Sequence, residues 1–106
     1  PQCFLADGHF AGPDSARLAA LREVMADPAI DAVWFARGGY GSNRIAEAAA
    51  HDLPAAAHSK TYLGYSDAGF LLAAFQRAGL EVAHGPMPSD VLRDGGEAAV
   101  ARALDW

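Results

Sequence analysis

The chain has 106 residues, 52% of them hydrophobic and 20% charged, which is enough apolar material for one compact domain and too little length for two. Thirteen acidic against eight basic side chains leave a net charge of -5, so nucleic acid is excluded as a partner for want of a positive field. The single Cys3 allows no internal disulfide, no Cys/His spacing marks a metal or cofactor site, and no apolar run reaches the roughly 18 residues of a membrane span.

These properties predict a soluble, cytoplasmic chain. Because it starts at Pro1-Gln2 without an initiator Met, the expectation is a segment cut from something longer. Short β-like runs alternate with helical ones along the chain, with turn residues at each junction, which is the βαβ pattern of a parallel sheet flanked by helices.

The first helix is predicted to open at Asp14 or Ser15, whose side chains can cap free amides, and to place Leu18, Leu21, Val24 and Met25 at helical spacing until Asp27-Pro28 stops it. Residues 31–36 form a continuous apolar run containing Val33, Trp34 and Phe35, as expected of a strand covered on both faces. Gly38-Gly39-Tyr40-Gly41 follows at once, and Ser42-Asn43 offer caps to an alanine-rich helix ending near Ala50.

After a connection through Pro54, residues 61–65 read as a second strand, and a sharp turn at Ser66-Asp67 leads into a helix ending at Gly79. Residues 80–83 make a third strand, His84-Gly85-Pro86-Met87-Pro88 ends it, and a last helix covers about 97–104. In an open parallel sheet the three strand ends at Arg37, Tyr65 and Ala83 lie along one edge, where ligands bind.

Two of these junctions carry chemistry. The glycine turn could bring backbone amides to an anion at a helix start, but it lacks the lysine of a P-loop and the spacing of a dinucleotide site, so a structural turn is the competing reading. Gly64-Tyr65-Ser66-Asp67-Ala68 puts a serine between strand and helix, where its hydroxyl stands clear of the sheet and the next amide faces a developing oxyanion. The full elbow pattern G-x-S-x-G is broken at Ala68, and Ser66 as a plain helix cap is the alternative.

His9, His51, His58 and His84 are scattered, each read as a surface or satisfied polar residue, with His84 set apart by its place at a strand end. Trp34 and Phe35 are expected in the core, and Asp52, Asp90, Asp94 and Asp105 on a solvated acidic surface.

Three motifs in fixed order, Ala36-Arg37-Gly38-Gly39-Tyr40-Gly41-Ser42, Leu63-Gly64-Tyr65-Ser66-Asp67 and His84-Gly85-Pro86-Met87, with Asp27-Pro28-Ala29-Ile30-Asp31-Ala32 before them, resemble the N-terminal domain of the LD-carboxypeptidase family, serine peptidases of the S66 type. The resemblance covers nearly all of the chain. It implies a cytoplasmic hydrolase that removes the terminal D-alanine from murein tetrapeptides in cell-wall recycling, or, as in related members, one that cleaves microcin-type peptide-nucleotides.

By the same resemblance Ser66 is the nucleophile, and the backbone N–H groups of Asp67 and Gly39 form the oxyanion hole. The glutamate and histidine that complete the serine, and a first strand, would lie outside residues 1–106, so this piece is expected to be a partial N-terminal domain, inactive alone, whose partners are the murein peptide and the rest of its own chain. Homodimerisation stays open.

Arg37 beside Gly38 and Tyr40 is the candidate substrate contact, because a guanidinium matches a carboxylate in bidentate fashion; a surface ion pair is the alternative. Ser42 is a lower-ranked nucleophile. The rival class is a non-catalytic α/β module that binds a small anion or docks onto a partner domain.

Overall fold

A computed structural model describes residues 2–106. Three parallel strands, β1 (Ala32–Trp34), β2 (Thr61–Gly64) and β3 (Glu81–His84), lie in chain order, with Val33 opposite Tyr62 and Tyr62 opposite Val82. Four helices accompany them: α1 (Asp14–Ala26), α2 (Asn43–Ala50), α3 (Gly69–Arg77) and α4 (Gly96–Asp105). Four 3-10 turns, at Gln2–Phe4, Ala55–Ser59, Ser66–Ala68 and Pro88–Leu92, fill the connections. Among the described residues no helix is long and apolar enough to cross a membrane.

Side chains alternate across a strand, so Val33, Tyr62 and Val82 share one face of the sheet. That face meets the core of the molecule, where Leu21 and Met25 of α1, Ile45 and Ala49 of α2, and Leu71, Leu72 and Phe75 of α3 pack around Tyr62. Tyr62 is fully buried with its ring 4.8 Å from that of Phe75, and its hydroxyl donates to the Ala57 carbonyl at 3.1 Å. Burial pushes the Tyr62 phenol above its ordinary value, since no water solvates the phenolate there. On the opposite face Leu63 and Ala83 lie beside Ala99, Ala103 and Trp106 of the α4 region.

Lys60 is buried just before β2, where its ammonium donates to the carbonyls of Asp27 and Ile30. The pairing ties the turn after α1 to the sheet and satisfies a charge that burial would otherwise make costly.

Four expectations are corrected. The run 31–36 is strand only at Ala32–Trp34, although the Phe35 N–H still donates to the Leu63 carbonyl at 2.9 Å. Val33, Trp34 and Phe35 line an open cavity, so they are half-buried instead of covered on both faces. Neither Asp14 nor Ser15 caps α1, which starts after the extended Pro13, and Ser42 makes no capping bond to α2. Asp90 is not part of a solvated surface: it is buried, accepting from the Met87 N–H at 2.8 Å and the Tyr65 hydroxyl at 3.1 Å, and it pairs with Arg93.

Candidate active site

The chain leaves β2 through Gly64, passes an extended Tyr65 and enters a 3-10 turn at Ser66 before α3 begins. Ser66 has φ of 56°, the left-handed region that L side chains avoid because Cβ crowds the following carbonyl. It caps nothing, since the residue before the turn is Tyr65, the residue before α3 is Ala68, and neither helical start has a side-chain cap. An exposed hydroxyl on a strained residue at the end of the central strand is the geometry that lifts a serine clear of a sheet.

Two glycines make that geometry fit. A methyl group on Gly64 would lie 3.1 Å from Phe35 Cβ and 3.3 Å from Ala68 Cβ, so a larger residue would push the turn away from the sheet. A methyl group on Gly38 would lie 2.8 Å from both Cβ and Oγ of Ser66, and 3.4 Å from the Asp67 nitrogen. The loop after β1 therefore runs directly against the serine of the turn after β2.

The two turns are also bonded to each other. The Ser42 N–H donates to a carboxylate oxygen of Asp67 at 2.9 Å, and the Ser42 hydroxyl donates to the Asp67 carbonyl. Ser42 is buried, and a hydroxyl already committed to a carbonyl is a poor attacking group, which argues against its ranking as a nucleophile. Among the described residues the N–H groups of Gly39 and Asp67 donate to no protein acceptor.

The far end of the glycine loop is held by an aromatic and two cations. Gly41, at φ 116°, is pressed against the Phe10 ring so closely that a methyl group there would fall 2.7 Å from a ring carbon. Arg17 donates to the Gly41 carbonyl at 3.1 Å, and the guanidinium groups of Arg17 and Arg44 lie 5.2 and 5.4 Å from the centre of the Phe10 ring. Both arginines pair with Asp14.

The hydrogen bond from Arg17, aided by that from Arg44 and by their charges, holds the Asp14 carboxyl below its ordinary value of 3.8. A folded-state value depressed in this way contributes stability above the unfolded value and loses it as pH falls through the folded one. In urea titrations from about pH 5 to about pH 3, the Asp14→Asn protein is expected to lose less stability than the parent; equal losses would show that the carboxylate is not coupled to folding.

An open cavity of about 880 Å³ borders this assembly, with Arg37, Gly38, Tyr40, Ser42 and Asp67 among its lining residues. Arg37 is exposed and its Nε donates to the Gly38 carbonyl at 3.3 Å, a long bond that leaves the guanidinium without an acidic partner among the described residues. Tyr40 is 59% exposed, its ring 6.0 Å from that of Phe10.

The structure thus gathers Arg37, Gly38, Gly39, Tyr40, Ser66 and Asp67 at the carboxyl edge of the sheet. It does not bring the histidines to Ser66 as hydrogen-bond partners. His84, opposite Gly64 at the end of β3, is exposed with its ring 6.2 Å from that of Tyr65, and His9, His51 and His58 are exposed elsewhere. Reading the sequence missed Phe10, Arg17 and the Ser42 to Asp67 pairing, each a partner distant in the chain, and it missed the Tyr65, Asp90 and Arg93 network that braces the turn from the other side. Only Asp90, three residues after Met87 where its carboxylate closes a capping box, left a local signal.

Residues 2–85 match the family described as the LD-carboxypeptidase N-terminal domain. A Streptomyces coelicolor protein with a carboxypeptidase name is 43% identical over 84 residues, which cover 78% of this chain and 27% of that protein. A Bacillus subtilis protein named as a probable murein peptide carboxypeptidase is 45% identical over 83 residues, 77% of this chain and 26% of its own length. The murein tetrapeptide carboxypeptidase of Pseudomonas aeruginosa is 38% identical over 79 residues, 74% of this chain and 26% of its own length. The chain spans about a quarter of the length of these curated relatives, and over that quarter both the family match and the shared residues are enough to say that it belongs to the LD-carboxypeptidase family.

Proposed function

We propose that the full-length gene product carrying this chain is a serine hydrolase that releases the terminal D-alanine of murein tetrapeptides, cutting the amide between an L-configured centre and the D-residue. The observation that carries the reading is Ser66 at φ 56° on the strand-to-helix turn, with Gly38 packed against its Cβ and Oγ. The names of two relatives support the murein peptide as substrate.

In this reading the Ser66 hydroxyl oxygen attacks the amide carbonyl and its proton passes to a histidine base. The N–H groups of Asp67 and Gly39 hold the oxyanion of the tetrahedral intermediate. Collapse expels D-alanine, whose nitrogen takes the proton back, and water then hydrolyses the acyl-serine by the same route. A serine hydroxyl without a base is a weak nucleophile, and Ser66 has no histidine or carboxylate partner among the described residues. The histidine and its glutamate therefore come from another part of the full-length chain, and residues 1–106 alone do not turn over substrate. Arg37, on the cavity wall, takes the carboxylate of the departing D-alanine.

The test is D-alanine release by the full-length protein, with fluorophosphonate labelling as a second readout. Ser66→Ala is expected to lower kcat by about 10⁴-fold or more and to abolish labelling. Arg37→Ala is expected to raise KM by about 10-fold to 100-fold with a smaller change in kcat. Turnover that survives Ser66→Ala overturns the assignment, and a wild-type protein that binds the peptide without cleaving it favours a non-catalytic module.

A further inference from the structure

We propose that Ser42, acting through Asp67, is a positioning device that sets the separation of the two oxyanion donors; the inference rests on Ser66 being the nucleophile. Gly39 lies on the loop after β1 and Asp67 on the turn after β2, so nothing in the local chain fixes the distance between their N–H groups. Two hydrogen bonds at one point supply that constraint. The backbone N–H of Ser42 reaches the Asp67 carboxylate at 2.9 Å and the Ser42 hydroxyl reaches the Asp67 carbonyl, so the same residue that offers its N–H to the oxyanion is gripped through its side chain and its carbonyl.

The clamp is buried at Ser42, where water competes poorly for its bonds. Among the described residues it is also the one joint at which the loop touches the turn by hydrogen bonds. The loop's other fixed point, Gly41, is held from the outside by Phe10 and Arg17. Between Gly41 and Arg37 the backbone includes two glycines, Gly38 and Gly39, the latter at φ 122°, and no hydrogen bond to the elbow is present there among the described residues. Weakening the joint at Ser42 would free this stretch to drift relative to Ser66, while the exposed Arg37 side chain can still reach a substrate carboxylate. A small loss of alignment acts on the transition state far more than on the bound ground state.

Removal of the clamp is therefore read in acylation and not in binding. In the full-length protein Ser42→Ala is expected to lower kcat for D-alanine release by about 10-fold to 30-fold with KM within about twofold. Fluorophosphonate is expected to label the variant to full stoichiometry but at a correspondingly lower rate. Asp67→Ala is expected to show the same split, and Asp67→Asn, which keeps an oxygen to accept from the Ser42 N–H, to recover most of the kcat that Asp67→Ala loses. Ser42→Ala removes only the bond to the Asp67 carbonyl and Asp67→Ala only the bond to the carboxylate, so the double variant, which removes both, is expected to lose more kcat than either single one.

A Ser42→Ala protein that labels at the parent rate overturns the proposal. So does one whose labelled fraction falls while each labelled site reacts normally, because that is loss of folded protein and not of alignment. If Ser66→Ala itself keeps its turnover, the nucleophile assignment fails instead, and the Ser42 result then has no oxyanion hole to report on.

Discussion

Replacing Ser66 by glycine is expected to abolish hydrolysis and at the same time to make the full-length protein more stable. Serine at φ 56° carries a backbone cost of about 1–2 kcal/mol, because its Cβ meets the following carbonyl. Glycine removes that cost but adds about 0.5–1 kcal/mol of unfolded-state entropy, so the net gain should be up to about 1.5 kcal/mol. Ser66→Ala keeps the Cβ and the strain, and should show no such gain. The pair of variants thus separates the chemistry of the hydroxyl, lost in both, from the strain, relieved in one. Chemical denaturation and D-alanine release on the same preparations decide it. A Ser66→Gly protein that is less stable than Ser66→Ala would mean that the turn holds no strain for the side chain to report.

The second large effect is expected at Gly38. Alanine there would put a methyl carbon 2.8 Å from both Cβ and Oγ of Ser66, well inside the 3.5–4.0 Å of an optimal carbon contact. Ser66 cannot rotate away without moving the turn, so the glycine loop must shift, and with it Gly39. About 10²-fold or more is expected to be lost from kcat, with about 1–3 kcal/mol lost from stability. Gly69 provides the control: it is at the start of α3 with open space around its Cα and no positive φ. Gly69→Ala should therefore be neutral to stabilising by up to about 1 kcal/mol and should leave turnover unchanged. Equal losses in the two variants would show that any added methyl is damaging and that the contact with Ser66 is not special.

Much of the fold was legible because it is written in local patterns. The helical spacing of Leu21 and Met25, the apolar strand residues around Tyr62 and the stops at Pro28 and Gly79 each act within a few residues, and the observed elements fall where those signals put them, to within two or three residues. The sharp turn at Ser66 was legible for the same reason, since a strand ending in glycine before Ser-Asp admits few backbone paths. The cap assignments failed at Asp14, Ser15 and Ser42 because a capping side chain always has competitors. At Ser42 the competitor was Asp67, 25 residues away, and at Asp14 it was the pair of Arg17 and Arg44. Asp90 failed similarly, its carboxylate drawn inward by the Tyr65 hydroxyl and the Met87 amide.

By itself, the sequence determined a parallel α/β sheet, the order of its elements, a net charge of -5, and a serine on the turn after the central strand. Those follow from periodicity, charge and backbone freedom, which are properties of neighbours. Only the tertiary structure decided that Gly38 lies against Ser66, that Ser42 and Asp67 lock the two turns together, and that Phe10 with Arg17 fixes the outer end of the glycine loop. Each of these joins residues 24 or more positions apart or residues on different strand ends. Such contacts exist because the sheet brings its carboxyl ends to one edge, and no local preference encodes which side chains will meet there.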